Sequence, residues 1–169
     1  MSMTISESLL PEFDHEMANL RRTLERVPEH RLEFAPHPKS MTMARLATHL
    51  ANLPLWATIG ITRDEFDMAP PGYPRSQAEP MTTRAALLAD FDAKAADARA
   101  HLVSADDVLL MKMWTLKNGG HTVLRMPKVS VLRSFVMNHM IHHRAQLTVY
   151  LRMNDVAVPS LYGPSADEM

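Results

Sequence analysis

Residues 131–154 read VLRSFVMNHMIHHRAQLTVYLRMN and carry three histidines, His139, His142 and His143, inside a stretch of helical hydrophobic period. Leu132, Phe135, Val136, Met140, Leu147, Tyr150 and Leu151 recur every three or four residues, which predicts one strongly amphipathic helix. His139 and His143 are four apart, so on a helix their Cβ atoms stack about 5–6 Å apart on one face. Both fall on or beside the apolar stripe, whereas His142 points about 60° or more to one side. A buried imidazole has two ring nitrogens to satisfy. Any fold must therefore bury this stripe and still answer for the two rings, and one shared metal ion is such an answer.

The remaining chain offers three further helices to pack against it. Residues 4–28 predict the first, with Thr4 and Glu7 as a capping box and an apolar stripe from Ile5 through Leu9, Phe13, Met17, Leu20 and Leu24 to Val27. Pro11 is expected to kink or delay its start, and Pro28 closes it. Residues 29–39 form a polar connector. Ser40 is the expected N-cap of a second helix over 41–61, bent near Pro54, with Met43, Leu46, Leu50, Leu53 and Trp56 facing inward. His49 shares that inward face. Residues 62–80, with four prolines, predict a loop that is either a wall or lid of a site or a surface connector. A third helix is expected over 82–103. Between 109 and 126 the pattern changes, and Asn118-Gly119 between two β-capable runs predicts a hairpin. Pro127 opens the last helix, 128–153, with Asn154 as a left-handed cap and a coil from 155 to 169. The expectation is a single all-α domain over 1–169, a four-helix bundle with a small β-hairpin before the last helix.

Composition narrows the chemistry. The 169 residues contain no cysteine, which excludes disulfides, thiolate metal sites and cysteine nucleophiles. A formal net charge of −1 and scattered basic residues give no basis for nucleic acid as a partner. The N-terminus lacks the pattern of a signal peptide, and no apolar run approaches the roughly 20 residues of a membrane span. A cytoplasmic protein without membrane contact is expected. The 14 methionines are dispersed, as gap-filling core residues are.

Within a bundle, His49, His139 and His143 converge as three imidazole ligands for one divalent metal, leaving open coordination positions. Imidazole suits zinc, nickel, iron or copper alike. The competing reading makes the same rings core histidines, hydrogen-bonded to carbonyls or hydroxyls. Gln146 lies on the face of His143 and is a candidate to orient a ligand ring or a bound water, with His142 a candidate of the same kind. Asp64, Glu65 and Asp67 are the only acids near the second helix that offer a general base, and nothing in their spacing favours them. His15, His30, His37, His101 and His121 are expected at the surface.

The runs HPKSMTMARLATHLANLP and NHMIHHRAQLTVYLRMNDVAVPSLYGPSADE, with WTLKNGG between them, resemble the DinB-like (YfiT-type) metal-binding four-helix proteins across essentially the whole chain. The resemblance implies an up-down-down-up bundle, a homodimer, and one divalent metal, nickel or zinc, on the residues corresponding to His49, His139 and His143. Relatives often carry glycine where Ala145 stands, which is expected to tighten local packing. Characterised relatives include transferases that use low-molecular-weight thiols such as bacillithiol or mycothiol, and a maleylpyruvate isomerase. The resemblance thus implies a metal-dependent thiol transferase or hydrolase with an exogenous thiol or water as nucleophile. The alternative is a stress-associated metal-binding homodimer without turnover.

Overall fold

Helix α1 (Ile5–Leu24) begins at its capping box. Thr4 Oγ1 accepts from the Glu7 N–H, and the Glu7 carboxylate accepts from the Thr4 N–H at 2.8 Å. Pro11 sits inside the helix on its exposed side without ending it. The helix stops four residues before Pro28, because Arg26 and Val27 turn back to the Thr23 and Leu24 carbonyls and the residue before a proline avoids the α region. The structure is a computed structural model and describes residues 3–73 and 78–168.

A short 3₁₀ turn (Glu29–Arg31) leads to α2 (Met43–Thr62), whose N-cap is Thr42 and not Ser40. The connector explains the difference. The Phe34 and Leu32 carbonyls accept from the Met43 and Ala44 N–H groups at 2.8 and 2.9 Å, so the first turn of α2 is fixed where the connector docks. Helix α2 passes through Pro54 unbroken. Helix α3 (Arg84–Ser104) is capped by Thr83, and a five-residue helix α4 (Asp107–Met111), capped by Asp106, follows. The sequence pattern does not announce α4, since five residues are too few to display a period.

Strands β2 (Met113–Asn118) and β3 (His121–Pro127) form the expected hairpin, but its two-residue turn is Gly119-Gly120. Both glycines have positive φ, 62° and 81°, as a type I′ turn requires, and Asn118 becomes the last paired residue of its strand. The segment expected to be all loop supplies a further strand, β1 (Glu65–Asp67), parallel to β2. The all-α expectation is corrected accordingly: the chain is mostly helical with a small three-stranded sheet in the order β1-β2-β3. A three-residue strand paired to a partner some fifty residues away leaves no local periodicity. Asp67 fastens this junction, its carboxylate accepting from the N–H groups of Ala69 (3.0 Å), Gly119 (3.0 Å) and Gly120 (2.7 Å). Residues 74–77 of the same segment lie outside the described residues.

The last helical stretch is continuous in chain but not in type. It opens as α5 (Lys128–Ser130), widens into a π-helical segment (Val131–Asn138) and closes as α6 (His139–Met153). Beyond it the left-handed residue is Asp155 (φ 58°), one position later than expected, while Asn154 caps the end with its side-chain amide on the Tyr150 carbonyl. Helix α1 packs on α3 and α6, and α2 packs on α3 and on the π segment and α6. Leu20, Leu24, Leu46, Leu50, Met140, Leu147 and Leu151 are wholly buried between them. Gly60 permits the approach of α2 to the last stretch: a Cβ there would stand 3.2 Å from Val131 Cγ1. Lys128 is also wholly buried. Its ammonium donates to the Ile61 carbonyl at 3.0 Å and to the Arg63 carbonyl, and pairs with Asp64 at 3.0 Å, placing a cation at the negative end of α2.

Candidate metal centre

The close approach of α2 to the last stretch decides where three imidazoles meet. His49 on α2 and His139 and His143 on α6 are each half-buried. Their ring centroids form a nearly even triangle, 5.0 Å for His49–His139 and 4.7 Å for each of the other two pairs. One ring nitrogen from each lies within 4.8 Å of the others. The Nε2 atoms of His49 and His139 are 3.3 Å apart. Two nitrogens bound tetrahedrally at zinc–nitrogen lengths of about 2.0–2.1 Å are separated by about 3.3 Å. The separation therefore fits ligation of one small cation.

The hydrogen bonds behind the rings decide which nitrogen faces inward. His143 Nδ1 lies 2.7 Å from Gln146 Oε1, and His139 Nδ1 lies 3.3 Å from the Phe135 carbonyl oxygen. Both partners only accept, so each Nδ1 carries the proton and each Nε2 turns its lone pair to the common centre. His139's own N–H bonds the Val136 carbonyl, so it does not occupy the Phe135 oxygen, which an α-helix would give it. Gln146 in turn donates from Nε2 to His142 Nε2 at 3.2 Å, linking the exposed His142 to His143 through one amide.

Burial keeps the three rings neutral. It pushes His49 down to about 4, with the nearby His143 and His139 adding to the effect. It lowers His139 and His143 as well, against the raising influence of the Phe135 carbonyl and of Gln146 respectively. Neutral imidazole is the form that binds metal. Three nitrogen donors without carboxylate or thiolate suit a borderline ion such as zinc, nickel or iron and not magnesium or calcium. Without a cation, His49 must carry its proton on Nε2 and donate to His139; a cation at the centre replaces that proton.

The other sequence candidates go elsewhere. Asp64 pairs with Lys128, Glu65 with Lys117 at 2.6 Å, and Asp67 holds the hairpin turn, so none of the three acids joins the histidines. His15, His30, His37 and His121 are exposed and His101 is half-buried beside Asp97. Ala145 is exposed and tightens no packing. The Phe135 carbonyl is the participant that side-chain pattern alone cannot show, because a main-chain group carries no residue signature.

A model of the DinB family matches residues 1–169. The uncharacterised protein YrdA of Bacillus subtilis (strain 168) is 28% identical over 173 residues, covering 96% of this chain and 90% of its own. Among solved structures, a DinB-like protein from Bacillus cereus ATCC 10987 superposes with a TM-score of 0.71 at 21% identity, over 96% of this chain and 100% of its own. The DinB-like protein YjoA of Bacillus subtilis gives 0.67 at 17% identity, over 92% and 99%. Among the described residues, no helix is long and apolar enough to cross a membrane.

Proposed function

The chain belongs to the DinB family, and on that premise we propose that it binds one divalent metal ion, zinc or nickel with iron as the next candidate, through His49, His139 and His143. The observation that carries this is the convergence of three inward ring nitrogens, two of them already 3.3 Å apart. Gln146 is a positioning residue in this reading: it holds the His143 ring in the tautomer that presents Nε2. The Phe135 carbonyl does the same for His139.

Three protein ligands leave coordination positions free, the arrangement of a catalytic rather than a closed structural centre. The reading is a metal-dependent enzyme, a thiol transferase or hydrolase. The ion supplies Lewis acidity that favours the deprotonated form of an exogenous thiol or water. The absence of cysteine accords with a thiol brought in from outside. A second reading, a metal-binding homodimer without turnover, is favoured by one observation: among the described residues no carboxylate joins the cluster as a general base. Val149 and Met153, one turn apart on α6 and exposed at 56% and 55%, accord with a second copy. The four long helical stretches are read as the four-helix, up-down-down-up bundle, with α1 diagonal to α2.

The test is elemental analysis of untagged wild type beside His143→Ala. Near-stoichiometric zinc, nickel or iron in the first and its loss in the second is the expected result. A folded wild type that takes up none of the three ions overturns the reading.

A further inference from the structure

Two lines of half-buried side chains leave the histidine cluster together. Helix α2 contributes Trp56, seven residues beyond His49 and so about 10.5 Å along the axis at 1.5 Å per residue. The π segment contributes Phe135, one turn before His139. The Phe135 and His139 rings are 5.9 Å apart, Trp56 meets Phe135 edge-on at 5.4 Å, and Trp56 meets Phe66 of β1 edge-on at 5.2 Å. A continuous aromatic row thus runs from the three imidazoles to the sheet, its residues half-buried and packed on one side against Trp114, Leu116 and Val131.

At the far end of that row the surface falls into a recess of about 520 Å³, walled by Phe66, Met68, Pro70 and Tyr73 and by the charged Arg63, Glu65 and Asp67. Its charged groups differ in whether they have a polar partner. Asp64 is paired with Lys128 and Glu65 with Lys117, while Asp67 accepts three backbone N–H groups. Arg63 lies over the Phe66 ring at 5.7 Å, and among the described residues its guanidinium has neither an ion pair nor a hydrogen bond. A recess with an aromatic and apolar wall, in which the guanidinium alone among the charged groups has no hydrogen bond or ion pair, matches a ligand with an apolar body and an anionic end.

We propose that this row and recess bind a small amphipathic anion. Its aromatic or aliphatic body lies on Phe66, Trp56 and Phe135, and its carboxylate or sulfonate meets Arg63. The further statement, that the other end of such a molecule reaches the histidine cluster and is the substrate's reacting end, rests on the metal-centre reading; binding of the anion does not.

The test titrates the full chain, metal-free and zinc-loaded, with 8-anilino-1-naphthalenesulfonate and with N-phenyl-1-naphthylamine, which has the same rings without the sulfonate. Saturable binding of the sulfonate at one site per chain is expected. The only two tryptophans stand on or beside the row, Trp56 in it and Trp114 at 6.3 Å from Phe135, so binding should quench their emission. Arg63→Gln should weaken the sulfonate about tenfold, a typical loss for one charge-assisted contact, and leave the neutral probe nearly unchanged. Phe66→Ala should weaken both probes. Arg84→Gln, an exposed arginine at another recess, should change neither. Absence of a saturable site, or equal response of both probes to Arg63→Gln, overturns the proposal. His143→Ala separates the two ideas: it should lose metal and keep the probe. A wild type that takes metal but no probe refutes only this inference, and one that takes the probe but no metal refutes only the metal centre.

Discussion

His143 and Arg144 are consecutive residues of α6, yet they enter two polar clusters of opposite design. Arg144 is 1% exposed and faces Glu16 of α1, which is 5% exposed. Arg144 Nη1 lies 2.7 Å from Glu16 Oε2, Tyr162 donates its hydroxyl toward both carboxylate oxygens at 2.8 and 2.9 Å, and Arg144 reaches the same hydroxyl while lying 5.3 Å from the ring centre. Positive charge, negative charge and hydroxyl close on one another. The histidine cluster does not close. The Nδ1 protons of His139 and His143 are spent outward on Phe135 and Gln146, so their Nε2 lone pairs turn inward toward the His49 ring. The first arrangement has no use for a ligand, whereas the second presents nitrogen donors that could hold a metal ion. Buried polarity by itself therefore marks no site; unbalanced polarity does.

The contrast is sharpest in stability. Removing one partner of a buried ion pair strands the other, which costs about 3–5 kcal/mol, whereas replacing both by apolar groups is often neutral. Arg144→Met should accordingly lower the unfolding free energy by about that amount, and Glu16→Leu combined with Arg144→Met should recover most of it. Urea unfolding of the two variants checks this. A single variant as stable as wild type would show that the pair is not the closed unit described.

The histidine side should behave in reverse, indifferent to its members until metal is added. His143→Ala in the metal-free protein should shift stability little. Zinc at a hundred times its dissociation constant should stabilise wild type by about 2.7 kcal/mol and the variant not at all. Thermal unfolding with and without zinc reads both arms. Gln146→Leu comes next in size. Loss of the group that fixes a ligand ring typically weakens metal binding about 10–100-fold, and competition against a chelator would measure it. Unchanged affinity would make Gln146 an ordinary surface amide.

Much of the open cluster was legible in the sequence, and almost none of the closed one. His139 and His143 stand one turn apart on an apolar stripe, and His49 holds a stripe position of its own, so helical period alone aimed all three inward. The same rule hid Arg144, because a charged residue directly after two histidines reads as a solvated position and its partner Glu16 lies 128 residues away in sequence. The tail reads as coil, and it is coil, yet Tyr162 and the pairs Arg152–Asp167 and Arg26–Glu168 bind it to α1, to α6 and to the turn after α1. The π segment escaped for another reason. Its side chains keep an apolar pattern that an α-helix would share, and only the backbone bonds tell the two apart. Strand β1 is too short to carry a period, and with it the recess around Arg63 was invisible.

Acidification gives the smallest effect, because the rings are only half-buried and solvent screens part of it. Its sign is fixed. In the folded, metal-free protein burial holds His49 at about 4, whereas the unfolded chain titrates it near the ordinary value of 6.5. Between these values the unfolded state binds the extra proton, so the contribution of His49 is complete above about pH 6.5 and declines as pH falls toward 4, where the folded state takes up the proton too. His139 and His143, lowered in the same direction, add to the slope. Carboxylates titrate in the lower part of the same window, so the measurement is a difference: unfolding free energy from pH 7 to 4 for wild type and His49→Gln, both stripped of metal. The variant should lose stability less steeply. Parallel curves would mean that His49 is solvated and already shares its proton with the unfolded chain, and the distinction between an open and a closed polar cluster would then rest on the metal measurements alone.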